Sequence, residues 1–228
     1  MIALSAQRTG VNLSSLGRLC LTSALFIWFS IPWAVAANTA PRPVIVCFGD
    51  SLSAGYELAE ADAFPARLAE TLAKLGVTAD VRNAAVSGDT TTGGLARLDW
   101  ALEGPIDLVI LELGANDALR GLDPKMTRQN LDQMIKTLKQ RGIKVLLAGM
   151  VAPPNMGPDY AKSFNSIYPD LASQYGLALY PFFLEGVAAQ PGLRLSDGMH
   201  PNPAGVKIMA ERIAPIVIKA LGAKPAKQ

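Results

Sequence analysis

The chain contains one histidine, His200. A reaction that needs an imidazole as its base must use it. It stands in "DGMHPNPAG", three residues after Asp197, with Gly198 between them and Pro201 behind. Pro201 disfavours helical backbone at His200, so the segment reads as a turn leading into the last helix. Gly198 lets that turn tighten until the Asp197 carboxylate meets one ring nitrogen. The other nitrogen is then free to take a proton from a nucleophile. The same residues also fit an exposed loop histidine beside an aspartate that caps the final helix.

A nucleophile for such a base is offered by "VIVCFGDSLSAGY", which begins as a buried strand and opens after Phe48 into small polar residues. Ser51 lies two residues past Gly49, at the mouth of the strand. Its own N–H can donate to an oxyanion if a helix-like turn begins there. Ser53 reads as the cap of the following turn. Capping is also open to Ser51, and Asp50 is an equally good cap. The strict G-x-S-x-G elbow is absent. "NAAVSGDTTTGG" adds Gly88, whose backbone can approach a ligand closely. "GANDALRG" adds Asn116, whose side-chain amide is a further donor. Each fits an ordinary turn when taken alone. Together Ser51, Gly88, Asn116, Asp197 and His200 supply a nucleophile, three oxyanion donors, a base and its orienter, the full set for acyl transfer.

The surrounding pattern must bring these residues to one place. Strand-like runs occupy residues 44–48, 79–83, 107–114 and 143–150, with a last one in "LALYPFF". Helical periodicity covers 62–75, 94–102, 124–141, 159–175 and 203–221. Strands alternating with helices predict parallel pairing through right-handed crossovers and one three-layer α/β domain. In such sheets the working crevice lies at the C-terminal ends of the strands. The loops 49–55, 84–94 and 114–121 follow three successive strands to that edge, and they carry Ser51, Gly88 and Asn116.

"FGDSLSAGY", Gly88 in "AAVSGDTT", Asn116 in "GANDALRG" and "DGMHPN" resemble the four blocks of the GDSL, or SGNH, hydrolases. The similarity covers about residues 44–221. "SGDTTTGGLARL", "LELGANDALRG" and "YPFF" are similar to the bacterial periplasmic branch known as acyl-CoA thioesterase I, lysophospholipase or arylesterase. The resemblance implies Ser51 as nucleophile, His200 as base and Asp197 as its partner, with Ser51, Gly88 and Asn116 as the oxyanion hole. It implies a three-layer α/β/α sandwich with a flavodoxin-like parallel five-stranded sheet in the order 2-1-3-4-5, and no metal or cofactor. The implied activity is hydrolysis of acyl thioesters, aryl esters or lysophospholipids, among which the resemblance does not choose. A carbohydrate O-deacetylase, or a non-catalytic binding module of the same fold, is the alternative.

Composition bounds the remaining choices. The 228 residues are 50% hydrophobic and 18% charged, enough for one domain with a full core. A single histidine and two cysteines exclude zinc sites with several His ligands or a Cys-rich set. No Walker loop or dinucleotide fingerprint follows the first strand. Residues 1–36 read as a signal peptide: Arg8 and Arg18 precede a 19-residue apolar run, and Ala34-Val35-Ala36 forms a small-x-small cleavage site. The expected location is therefore periplasmic or secreted. The run is also long enough for an uncleaved inner-membrane anchor. Without Arg8 and Arg18 the 21 basic residues become 19, equal to the 19 acidic ones. The mature chain is then neutral and has no basic run to suggest nucleic acid. Residues 41–222 read as the hydrolase domain and 223–228 as a disordered tail. Cys47 becomes the only mature cysteine and reads as a small core residue. The expected partner is a small acyl ester or thioester, with transient contact to membrane lipid and a monomeric or weakly oligomeric state. Ala115, Ala118 and Leu119, with Met150, Pro153 and Met156, are candidates to line the acyl pocket. "APPNMGPDY", with three prolines, reads either as a shaped lid or as a plain surface loop.

Overall fold

The computed structural model describes residues 42–223. The expected cleavage site and residues 224–228 of the expected tail lie outside them. Among the described residues no helix is long and apolar enough to cross a membrane.

Five parallel strands form one sheet: β1 (Val44–Phe48), β2 (Asp80–Asn83), β3 (Leu108–Glu112), β4 (Lys144–Ala148) and β5 (Ala178–Tyr180). Their order is β2-β1-β3-β4-β5, as the resemblance implies. Residues Ile45 to Phe48 of β1 and all five residues of β3 are buried. Such near-continuous apolar strands require cover on both faces. Helices α2 (Phe64–Lys74) and α8 (Pro203–Leu221) pack together on one face. Helices α3 (Thr91–Ala101), α5 (Pro124–Gln140) and α7 (Ile167–Tyr175) cover the other, giving the three-layer α/β/α fold. Helix α5 buries Thr127, Leu131, Met134, Ile135 and Leu138 at 3.6-type spacing. Its start is set by Asp123, which accepts from the Lys125 N–H at 2.9 Å, and by Pro124 in the first turn. Each buried aliphatic side chain in these faces contributes about 1.5–3 kcal/mol against exposure.

The register aligns the strand ends. Cys47 pairs with Asn83, and Phe48 with Leu111, so β1, β2 and β3 open their following loops at one edge. Two short helices sit in those loops: α1 (Ser51–Ala54) after β1 and α4 (Ala115–Leu119) after β3. Both are too short for a periodic signal. Cys47 is fully buried, which pushes its thiol well up, as a core role requires.

Four expectations are corrected. The helix expected over 159–175 is two: α6 (Pro158–Asn165) ends before Ser166, and α7 restarts. Pro169 explains the break, because it has no N–H for the Asn165 carbonyl four residues back. Helix α3 starts at Thr91 rather than 94, with the Thr90 hydroxyl accepting from the Gly93 N–H. Gly93 and Gly94 both lie inside the helix. A Cβ on Gly94 would stand 2.3 Å from Leu113 Cδ1, so the glycine lets α3 press onto the end of β3. The strand in "LALYPFF" shortens to Ala178–Tyr180, since Pro181 cannot donate to the ladder. Ser53 does not cap: it is buried, and Asp50 is the cap of α1.

Candidate active site

Asp50 stands at the exit of β1, fully buried, and its Oδ1 accepts from the Leu52 N–H at 3.0 Å. This starts α1 one residue later and sets Ser51 at its first position, with its N–H not consumed within the helix. Gly49 is required for the approach. A Cβ there would lie 2.4 Å from Glu112 Oε2 and 2.7 Å from the Glu112 carbonyl oxygen. The end of β3 is thus packed directly against the turn that carries the serine.

Arg97 ties the first two loops together. Its guanidinium donates to the Gly49 carbonyl at 3.0 Å, the Ala84 carbonyl at 2.6 Å and Asp89 Oδ2 at 2.6 Å. It lies 4.0 Å from the Phe48 ring centroid, a cation–π contact that helps a 7% exposed cation tolerate burial. The third loop is fixed by Asp117, which accepts from the Thr91 N–H at 2.9 Å and from the hydroxyls of Thr91 at 2.5 Å and Thr127 at 3.2 Å. Asp117 is next to Asn116, so these bonds set the position of the amide. Asn116 Nδ2 donates to the Asp89 carbonyl at 2.9 Å and to Asp50 Oδ2 at 3.2 Å. The amide therefore bridges the three loops. Gly88 adopts φ +82°, a region open to glycine, and its carbonyl accepts from Arg120.

The turn before α8 brings the imidazole. Asp197 Oδ1 accepts from the backbone N–H groups of Met199 at 2.8 Å and His200 at 3.0 Å, with Gly198 at φ +71°. Asp197 Oδ2 stands 2.6 Å from His200 Nδ1, and His200 Nε2 stands 2.8 Å from Ser51 Oγ. With Nδ1–H donating to the carboxylate, Nε2 accepts from the Ser51 hydroxyl. The His200 side chain, together with the Met199 and His200 N–H groups, holds the Asp197 carboxyl down at about 2, so it is ionised at neutral pH. Tyr56 lies against the ring, with centroids 4.4 Å apart.

Beneath the serine lies a second acid. Glu112 is fully buried at the end of β3. Its Oε2 accepts from the Asp50 N–H at 3.2 Å and the Ser53 hydroxyl at 2.8 Å, and its Oε1 has no partner. Burial, then the neighbouring Asp50, pushes Glu112 well above the ordinary carboxylate range. Burial pushes Asp50 up to about 6, offset by the Leu52 and Asn116 donors. Each carboxylate accepts two hydrogen bonds, but Glu112 Oε1 has no partner, and the Asp50 charge beside it adds to its burial, so Glu112 is the member pushed further toward its protonated form.

Ser51, Asn116 and His200 open into one cleft of about 280 Å³. Of the proposed pocket residues, Ala115, Leu119, Met150 and Pro153 line it. Ala118 does not: it is 1% exposed and belongs to the core. Met156 does not either, since its Cε is turned toward Gly121. Sequence reasoning missed Phe182, Leu184 and Arg194, which follow β5 and close the far side. Extending the strand-end rule to the fifth strand would have found them. A larger depression of about 420 Å³ beside edge strand β2, around Trp100, holds no nucleophile–base pair, so chemistry rather than volume selects the site.

A parallel 2-1-3-4-5 sheet bearing a serine, histidine and aspartate in hydrogen-bonded series at its C-terminal edge defines an acyl-hydrolase class. Residues 47–208 match the model of the GDSL-like lipase/acylhydrolase family, and the chain belongs to that family. It is 42% identical to an arylesterase of Vibrio mimicus over 82% of this chain and 93% of the relative. It is 39% identical to thioesterase 1/protease 1/lysophospholipase L1 of Escherichia coli strain K12, over 81% of this chain and 87% of that one. The crystal structure of AlinE4, an SGNH-hydrolase family esterase, superposes with a TM-score of 0.68 at 45% identity, covering 80% of this chain and 98% of the other.

Proposed function

We propose that the protein hydrolyses carboxylic esters and thioesters through an acyl-enzyme on Ser51. The observation that carries this is the continuous series Asp197–His200–Ser51, at 2.6 and 2.8 Å, opening into an apolar cleft. In the first half-reaction Ser51 Oγ attacks the acyl carbon and its proton passes to His200 Nε2. The resulting imidazolium sits against the ionised Asp197 carboxylate, which stabilises it without taking the proton. The oxyanion is met by the N–H groups of Ser51 and Gly88 and by the Asn116 amide, which turns the N–H of its longer bond, 3.2 Å to Asp50, toward the developing charge. Collapse of the tetrahedral species breaks the bond to the alcohol or thiol, which leaves with the proton from His200. Water then attacks the acyl-Ser51 ester with His200 as base, releasing the acid and restoring the hydroxyl.

The relatives named for arylester, thioester and lysophospholipid hydrolysis support this reaction class. The test is labelling of the purified protein by a fluorophosphonate, followed by peptide mapping and by hydrolysis of p-nitrophenyl esters of increasing chain length. Label on Ser51, lost in Ser51→Ala together with all ester turnover, is the expected result. Ester hydrolysis that survives Ser51→Ala would overturn it.

The basic start, apolar run and Ala34-Val35-Ala36 of residues 1–36 support export with cleavage after Ala36. Intact mass of protein from the native envelope should lack residues 1–36. A mass that retains them would make the segment an anchor.

A further inference from the structure

We infer that Arg194 is a substrate-recognising cation, and that the preferred substrate carries an anionic carboxylate or phosphate close to its scissile acyl bond. This rests on the acyl-hydrolase reading of the cleft. Arg194 shares that cleft with Ser51 and His200, and it is the one lining residue with a permanent charge. Its other walls, among them Leu119, Met150, Val151 and Phe182, are apolar.

The backbone that presents Arg194 is held from both sides. Arg194 is bridged to Pro201 in antiparallel fashion, and its carbonyl accepts from the Asn202 amide at 3.4 Å. The Asn202 N–H donates to the neighbouring Leu193 carbonyl at 2.9 Å. These bonds fix the backbone of Arg194, and the guanidinium itself is held at one point. Only one of its nitrogens is used: Nη1 donates to the Gly198 carbonyl at 2.6 Å. Nε is buried and has no partner. Among the described residues no carboxylate lies within ion-pair distance of Arg194. Arg67 makes the contrast, because its Nε is also unpartnered but its other nitrogens hold Asp62 and Glu70.

Nε is sealed from solvent, whereas Nη2, which has no partner either, is not buried and is the open edge of the guanidinium. A cation without a counter-charge beside apolar walls gains when an anion arrives, since guanidinium N–H groups donate strongly to carboxylate and phosphate oxygens. Asp197, the acid closest in sequence, is already committed to His200 and to two backbone N–H groups. The ligand that completes Arg194 is therefore a substrate oxygen.

Two ester pairs separate an anion on the acyl side from one on the alcohol side. The first is mono-p-nitrophenyl glutarate against p-nitrophenyl pentanoate. The second is 4-butyryloxybenzoate against its methyl ester. kcat/KM is measured for wild type, Arg194→Gln and Arg194→Lys. The Gly198 contact means that Arg194→Gln can slow all substrates by loosening the Asp197–His200 turn, so the anionic-to-neutral ratio is the readout. That ratio should fall about tenfold on one pair in Arg194→Gln, as for a lost charge-assisted hydrogen bond. The pair that responds locates the anion. Arg194→Lys keeps the charge without the fork and should fall less. In wild type, added salt should lower kcat/KM on the responsive anionic ester alone. Ratios unchanged by substitution and by salt on both pairs overturn the proposal. If neutral esters are still turned over in a Ser51-dependent way, the acyl-hydrolase reading survives that result.

Discussion

Changing Glu112 to Gln removes a proton-binding site from beneath Ser51 while keeping its shape. Glu112 is fully buried and its acid is pushed well up by burial and by Asp50. An unfolded glutamate titrates near about 4.3. Between that value and the folded pKa, the folded protein keeps a proton that the unfolded chain has released. The stability from this proton is complete below about pH 4.3 and declines as pH rises toward the folded pKa, at about 1.4 kcal/mol per pH unit. Gln cannot titrate. The stability of Glu112→Gln relative to wild type should therefore improve by up to about 1.4 kcal/mol per unit from about pH 5 until the folded pKa is passed. Asp50, pushed up to about 6, has a slope of its own. It acts equally on both proteins, because its neighbour is neutral in both. Urea unfolding followed by far-ultraviolet circular dichroism at three pH values between about 5.5 and 7.5 measures the difference. Ester turnover at neutral pH should stay within a few-fold, since a neutral group replaces a neutral group. A stability difference that does not move with pH would mean that Glu112 is ionised in the fold, and would refute the reasoning.

Asn116→Ala removes a donor that acts as charge develops, so kcat should fall by about 10²–10³ with KM little changed. A loss confined to KM would make the amide a substrate anchor. Gly49→Ala places a Cβ 2.4 Å from Glu112 Oε2, and the strand exit must shift. Thermal unfolding should show a loss of about 1–3 kcal/mol, with a drop in kcat as Ser51 moves. The Asp197 carboxyl is held down at about 2, so its contribution to stability is present above about pH 3.9 and lost as pH falls through about 2. Acid titration of Asp197→Asn against wild type should show their difference shrinking over that interval. A constant difference would detach Asp197 from the imidazole.

The candidate set was legible because each member sits at a punctuation point. Gly49, Gly88, Gly198 and Pro201 mark where regular structure stops, and the strand-end rule places those stops on one edge. The single histidine removed any choice of base. The support beneath the site was harder to see. Glu112 is one acid in the apolar run "LVILELG", and nothing in strand periodicity tells a buried acid from one that turns to solvent. Arg97 has the same difficulty, since its three acceptors lie 8, 13 and 48 residues away. Ser53 fits a cap on sequence grounds because serines after a strand usually are caps, while the buried Glu112 gives it a different partner. The pocket was half legible. The faces of a five-residue helix such as α4 are decided by packing, so Ala118 could not be separated from Ala115 and Leu119 in advance.

The central claim is that one imidazole, His200, drives catalysis at Ser51 with Asp197 as its orienter. The most direct test is kcat/KM on a short aryl ester for His200→Ala and wild type at equal folded concentration, with Ser51→Ala and the double variant alongside. The account predicts that each single change removes nearly all turnover and that the double variant is little worse than either, because the two residues act as a unit. A His200→Ala enzyme that kept more than about a tenth of wild-type activity, against the roughly 10⁶-fold losses of a broken triad, would contradict it.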